Sequence, residues 1–179
     1  MSYPAMNEAA GRWVIDPAHS YVGFAVRHLM GRVRGRFTEL SGEFVVDDDP
    51  ARSSVSVTIE AASVHTGHEG RDERLRGKDV LDVERAPTVR FASSGLRHDG
   101  DGWLLTGDLT VRGVTKGVEI VLEPLGVDPT GLHGERRVGF DGRTAVLRSD
   151  FGLDLPRGDK VVFGDRVDIH VEIEAVLGE

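Results

Sequence analysis

Histidine and carboxylate side chains that could bind a metal ion occur together in one short stretch of the chain. His65, His68 and Glu69 form an His-x-x-His-Glu arrangement. Metal sites need ligands that converge at fixed distances and angles, and this spacing suits neither one face of a helix nor one face of a strand. We therefore interpret the stretch as a polar loop with exposed histidines, and the sequence predicts no metal site.

Asp16, His19 and Ser20 are the residue types of a hydrolytic triad, but Ser20 has no nucleophile-elbow sequence around it. The run from Asp16 to His19 contains a proline and is typical of a turn that leads into a strand. The chain has no cysteine, which excludes thiolate catalysis and disulfides. We expect no catalytic residue and no cofactor.

Arg32, Arg34 and Arg36 alternate with smaller residues, so on a strand they share one face. Such a basic stripe could receive a phosphate or carboxylate head group at the mouth of a barrel, or it could be an ordinary solvated outer face. His28 continues the apolar face of the preceding segment and is therefore predicted to point inward. It would be either a buried, hydrogen-bonded histidine or a polar contact for a ligand.

The segments that position these residues are short and alternate apolar with polar side chains, which is typical of strands with one face on a core. Gly, Asp and Pro separate them. The alternating segments cover residues 22–26, 33–37, 42–46, 55–59, 89–91, 105–111, 118–122, 138–146 and 167–173. The charged stretch 67–82 breaks the pattern and predicts a short amphipathic helix or capping segment.

Eight or nine such strands without alternating helices indicate a β-sandwich or a β-barrel. Gly23, Gly35, Gly107 and Gly142 fall inside strand patterns, where glycine marks a bend, a bulge or space for a ligand. Because strong curvature favours closure, we predict an all-β barrel. An eight-stranded barrel has room either for filling side chains or for one small ligand.

The chain has 179 residues and a net charge of −8, which allows one domain with a substantial core. The acidic balance argues against a nucleic-acid partner, whose phosphates require a basic surface.

No run approaches the roughly 18 apolar residues of a membrane span, so we expect no stable membrane insertion. Residues 1–11 lack the features of a secretory signal, which predicts a cytoplasmic protein. We expect residues 1–12 to be flexible and residues 13–179 to form a single domain.

Several motifs, taken together and in their order, resemble those of the YceI-like family over most of the chain. The first are Trp13-x-Ile15-Asp16-Pro17-Ala18-His19-Ser20 and Val22-Gly23-Phe24-x-Val26-x-His28-Leu29. The others are Gly35-x-Phe37, Thr66-Gly67 with Arg71-Asp72-x-x-Leu75, Phe91-x-Ser93, Gly107-Asp108-Leu109-Thr110-x-x-Gly113-Val114-Thr115-Lys116, Arg148-Ser149-Asp150-Phe151-Gly152-Leu153 and Val167-x-Ile169.

The resemblance implies a lipocalin-like, extended, eight-stranded antiparallel barrel. Its long apolar pore would hold polyisoprenoid chains, quinone-type lipids or fatty-acid amides. Many members carry a secretion signal, and this sequence departs from them in showing none. His68 stands where relatives tend to have Asn, so the paired histidines are not a family feature.

We therefore predict a protein that binds an elongated apolar ligand inside the barrel, for carriage or storage. The predicted ligand contacts are the inward-facing side chains of Phe24, Val26, His28, Phe37, Phe44, Val89, Phe91, Leu105, Leu109, Ile120, Phe140, Phe151 and Ile169, with Arg32, Arg34 and Arg36 as head-group candidates. One alternative is a lipid-modifying isomerase or cyclase in the same cavity, with His28 as its acid or base. Another is a small interaction module, such as a homodimer formed through an outer strand face.

Overall fold

The computed structural model describes residues 6–153 and 163–179 of the chain. Strands dominate it, as the alternating pattern predicts. The elements are β1 (Gly11–Ile15), β2 (Tyr21–His28), β3 (Gly31–Phe37), β4 (Leu40–Val46), β5 (Ser54–Glu60), β6 (Val64–His65), helix α1 (Glu69–Arg76), β7 (Thr88–Asp99), β8 (Gly102–Val111), β9 (Val114–Asp128), β10 (Arg137–Leu147) and β11 (Phe163–Leu177).

Eight antiparallel strands close into a barrel. Strands β1, β4, β5, β7, β8, β9, β10 and β11 pair in that order, and β1 also pairs with β11. The long strand β11 carries β1 on one half and β2 on the other, so β1 and β2 act as one interrupted barrel strand. A 3-10 turn at Pro17–His19, capped by the carboxylate of Asp16, separates the two halves. The predicted barrel is confirmed.

The stretch 67–82, for which the sequence predicts a short helix or capping segment, contains α1, the single α-helix of the described residues. The backbone N–H of Arg71 donates to the His68 side chain, which caps the first turn over 3.2 Å. A tight hairpin joins β7 to β8, with Asp99 paired to Gly102. None of the described helices has the length and hydropathy to cross a membrane.

The chain segment before Trp13 forms a 3-10 turn and the first residues of β1. Met6–Ala9 forms a 3-10 turn in which Met6 and Ala9 are buried. The indole N–H of the fully buried Trp13 donates to the carbonyl oxygen of Ala9 over 2.7 Å. A buried indole needs such an acceptor, and the turn supplies it while its apolar side chains cover one end of the barrel. We call this end the Met6 end.

The opposite end, called here the α1 end, is covered by α1 and by the loops that follow it. Val80 and Leu81 are buried there, and Leu75 packs against the core. Arg112, at the β8–β9 turn, donates to the carbonyl oxygens of Gly152 and Lys78 over 2.6 and 2.8 Å. This one side chain therefore connects two of the covering loops.

Candidate functional site

An apolar cavity of about 290 Å³ lies inside the barrel. It extends from Met6 to Leu75 and Leu81, so both covered ends contribute to its wall. Twelve of the predicted ligand contacts line it: Phe24, Val26, Phe37, Phe44, Val89, Phe91, Leu105, Leu109, Ile120, Phe140, Phe151 and Ile169. The size is at the lower end of typical ligand sites, about 300–1,000 Å³. The sequence pattern thus identified the inward faces, while contact of these residues with a ligand stays a prediction.

His28, the remaining predicted ligand contact, is not among the residues that line the cavity, and its contact with a ligand stays a prediction. It is the last residue of β2, where it pairs with Gly31 of the hairpin to β3. Its ring packs on Phe163, with 4.7 Å between the ring centroids. Alternation along β2 places His28 on the inner face. Because β2 ends at this residue, its ring contacts Phe163 at the rim of the barrel.

The glycines inside the strands make room for the protein's own aromatic rings. A Cβ atom on Gly107 would lie 2.5 Å from Cζ of Phe91 and 2.6 Å from the carbonyl oxygen of Ala92. Gly35 is likewise covered by the ring of Phe24. The space that these glycines leave is therefore occupied by side chains of the cavity wall, and not reserved for a ligand.

Of the described residues that line the cavity, Arg148 is the only one with a charged side chain. Its guanidinium donates to the carbonyl oxygens of Gly164, Leu153 and Phe163 over 2.9, 2.9 and 3.4 Å. The next residue, Ser149, binds the Asp165 carboxylate through its backbone N–H and its hydroxyl. Sequence reasoning missed this role, because alternation carries no information about which cation will bind backbone carbonyls.

A buried carboxylate holds the loop that precedes α1. Asp72 is 1% exposed and accepts hydrogen bonds from the backbone N–H and the hydroxyl of Thr66 over 2.9 and 2.6 Å. Arg71 donates to the same hydroxyl and to the Thr66 carbonyl oxygen. Burial by itself raises the pKa of Asp72. The Thr66 hydrogen bonds and the nearby charges of His65 and Arg76 lower it by more than burial raises it, so the pKa of Asp72 lies below its ordinary value.

His65 and His68 have structural partners in the described residues. Nδ1 of His65 lies 3.5 Å from the Asp72 carboxylate, and His68 caps α1. They do not form a three-ligand cluster with Glu69. The two clusters whose ligand atoms do converge are Asp16, His19 and Glu174, and Asp141, His170 and Glu172.

Arginine side chains already compensate both of these clusters. Arg137 forms ion pairs with Asp16 and Glu174 over 2.9 and 2.5 Å. Arg143 lies 3.4 Å from Asp141, whose carboxylate also contacts His170 over 2.6 Å. A cation placed by the protein reduces the negative charge that would attract a metal ion.

A second, open pocket of about 970 Å³ lies on the outside of the barrel, and we call it the outer groove. Arg32 and Arg34 line it from β3, whereas Arg36 does not. Arg32 donates to the Asp168 carboxylate over 2.8 Å, and Arg166 binds the other oxygen of that carboxylate. Of the predicted arginine stripe, two members therefore share one pocket.

Comparison with known proteins gives one consistent family. The family model for the YceI-like domain matches residues 13–175. A UPF0312 protein of Photorhabdus laumondii is 35% identical over 178 residues, covering 96% of this chain and 90% of that protein.

Two solved structures share the architecture. The crystal structure of BcnA from Burkholderia cenocepacia superposes with a TM-score of 0.78 at 26% identity, covering 89% of this chain and 98% of BcnA. A polyisoprenoid binding domain from Saccharophagus degradans superposes with a TM-score of 0.73, covering 93% of this chain and 98% of that domain. Its identity of 15% makes this a likeness of fold alone.

Proposed function

The chain belongs to the YceI-like family, and from this premise we propose that it binds an elongated apolar molecule inside its barrel. The observation that carries the proposal is the apolar cavity between the two covered ends. The ligand classes are a polyisoprenoid, an isoprenoid quinone or a fatty-acid derivative, taken up for carriage or storage.

Burial of apolar surface supplies the affinity in this proposal. Each Å² of apolar surface removed from water contributes about 25 cal/mol, so a linear hydrocarbon chain gains free energy along its whole length. The phenyl rings of Phe24, Phe91 and Phe140 stand on separate strands around the cavity and contact such a chain from different sides. Binding of this kind needs no proton transfer and no nucleophile.

We propose a binding protein rather than an enzyme. The isomerase or cyclase alternative relied on His28 as the acid or base, and this side chain is packed on Phe163 at the rim. No observation among the described residues favours a second acid–base group inside the cavity. The homodimer alternative is tested separately by light scattering. A contact through an outer strand face would lie on β9, where Val121 and Leu125 are exposed apolar side chains.

The first experiment identifies what the purified protein carries. Native mass spectrometry and solvent extraction are expected to reveal a bound apolar molecule. Protein stripped of it is then titrated with farnesol, a short neutral isoprenoid, which is expected to bind in one-to-one ratio. Failure to find a co-purified molecule together with failure to take up farnesol would overturn the proposal.

A pair of tryptophan variants locates the binding. Leu109 lines the cavity, whereas Leu132 is 82% exposed. Leu109→Trp adds volume inside and is expected to lower farnesol affinity by roughly tenfold or more, because the cavity is small. Leu132→Trp adds the same side chain outside and is expected to bind as the wild type does. Equal affinities of the two folded variants would place the ligand outside the barrel.

A further inference from the structure

The barrel wall opens between β9 and β10. The two strands pair from Arg137 with Asp128 to Arg143 with Val121, and there the ladder ends. Beyond this point, residues 114–120 of β9 pair with β8, and residues 144–147 of β10 pair with β11. The Thr144 hydroxyl donates to the Glu119 carbonyl oxygen over 2.7 Å at the last point of contact. Within residues 6–153 and 163–179 these two edges have no further strand partner, and we call the opening between them the cleft.

The cleft joins the interior cavity to the outer groove. Val118 on one edge and Thr144 and Val146 on the other line both pockets, together with Phe151 behind them. At the cleft, these side chains alone therefore lie between the apolar interior and the outer groove. An elongated molecule in the cavity can place one end in the cleft without moving a covered end of the barrel.

Cations predominate around the outer groove although the whole chain carries a net charge of −8. Among the described residues, five cationic side chains line the groove against three anionic ones, Glu119, Asp150 and Asp168. Lys116 is exposed at the β9 edge and has no ion pair within the part of the chain that the structure describes. Arg143, at the β10 edge, is 68% exposed and lies 3.4 Å from the Asp141 carboxylate.

We propose that the cleft is the entrance for the ligand, and that Lys116 and Arg143 bind an anionic head group, a phosphate or a carboxylate, whose chain lies in the cavity. This inference rests on the proposed function. An ionised head group inside the apolar cavity would lose its hydration, so it stays at the mouth. There it gains charge-assisted hydrogen bonds from the two edges.

The test compares two probes that differ in head group alone, farnesyl phosphate and farnesol. Calorimetric titration of wild-type protein is expected to give tighter binding of the phosphate. Lys116→Glu is expected to weaken farnesyl phosphate binding by roughly tenfold and to leave farnesol unchanged, since a charge-assisted contact is replaced by repulsion. Arg97→Glu makes the same charge change on β7 at the Met6 end, 61% exposed, and is expected to affect neither probe.

The entrance is tested with two substitutions at one position. A Cβ atom on Gly117, at the β9 edge, would meet nothing within 4 Å, so Gly117→Ala adds no clash and the side chain of Gly117→Trp starts from open space. Gly117→Trp fills the cleft and is expected to slow association of both probes in stopped-flow measurements. Gly117→Ala is expected to leave the association rate unchanged. Equal rates for the two variants would overturn the cleft as the entrance.

The remaining outcomes separate this inference from the proposed function. If wild-type protein binds neither probe, the proposed function fails and this inference fails with it. A second outcome is that wild-type protein binds both probes, while Lys116→Glu weakens the binding of both equally or of neither. That result would overturn the head-group site and leave the proposed function standing. Another outcome is that Lys116→Glu still binds farnesyl phosphate more tightly than farnesol, while folded Arg148→Gln binds the two equally. That outcome would place the head group inside the cavity. Inorganic phosphate that binds as tightly as farnesyl phosphate would indicate a free-anion site, which also overturns the proposal.

Discussion

The ring of Phe24 covers Gly35 on the neighbouring strand. The two residues pair directly between β2 and β3, and a Cβ atom on Gly35 would lie 2.9 Å from Cε1 of Phe24 and from Cγ2 of Thr66. Such distances are shorter than van der Waals contact, so a side chain at position 35 requires the ring to move. Because Phe24 lines the cavity, this glycine determines where part of the cavity wall stands.

Gly35→Ala is therefore expected to push the Phe24 ring toward the cavity and to weaken farnesol binding several-fold. The closest atoms are the ends of side chains, so the substitution is expected to cost about 1–3 kcal/mol of unfolding free energy, as overpacking usually does. Titration and chemical denaturation measure the two effects. Gly117→Ala, where the added Cβ meets open space, is the matched control and is expected to change neither quantity. Unchanged affinity in Gly35→Ala would show that the ring moves away from the ligand.

The barrel was predictable because its signal is local. Alternation along β11, with Val167, Ile169 and Val171 inward and His170 outward, follows from the pleat of a strand and needs no knowledge of its neighbours. The same rule gave the inner face of each strand, and hence most of the cavity wall. It does not show where along a strand the cavity ends, and His28, the last residue of β2, does not line the cavity.

The cleft and the Met6 turn were not predictable in this way. The split between β9 and β10 depends on where two distant strands stop pairing, and the sequence around Val121 and Arg143 continues without a break. The residues preceding Trp13 look like an ordinary polar terminus, yet Met6 is buried. Both features depend on contacts between parts of the chain that lie far apart in sequence.

Removing the buried charge at Asp72 is expected to destabilise the α1 end. Asp72→Asn keeps the shape of the side chain and one oxygen for the two Thr66 hydrogen bonds, which both end on Oδ1, but it removes the negative charge that faces His65 and Arg76. We expect a loss of about 1–3 kcal/mol in unfolding free energy at neutral pH. Asp48→Asn, at an exposed position in the β4–β5 loop, is the control and is expected to stay within about 0.5 kcal/mol of wild type. Equal stabilities of the two variants would mean that the buried negative charge is dispensable.

The pH dependence of stability follows from the lowered pKa of Asp72. A carboxylate whose pKa is lower in the folded than in the unfolded state stabilises the fold fully above the unfolded value of about 3.9. That contribution is lost as the pH falls through the folded pKa, because the folded state must then take up the proton. The stability difference between wild type and Asp72→Asn is expected to be constant from pH 7 to about pH 5 and to shrink below it. A difference that grows toward acid pH would contradict the sign of this shift.

Substitutions in the arginine stripe on β3 test whether the head group binds at the cleft or at the stripe. Arg34 and Arg36 are both exposed on the outer face of one strand, but Arg34 lines the outer groove and Arg36 does not. Lys116 stands on the β9 edge of the cleft, whereas Arg34 lines the outer groove from β3, a strand that does not border the cleft. Arg34→Glu is therefore expected to weaken farnesyl phosphate binding less than Lys116→Glu does. Arg36→Glu is expected to have no effect on either probe, and both variants should stay within about 0.5 kcal/mol of wild-type stability. A larger loss in Arg34→Glu than in Lys116→Glu would move the head group from the cleft to the arginine stripe.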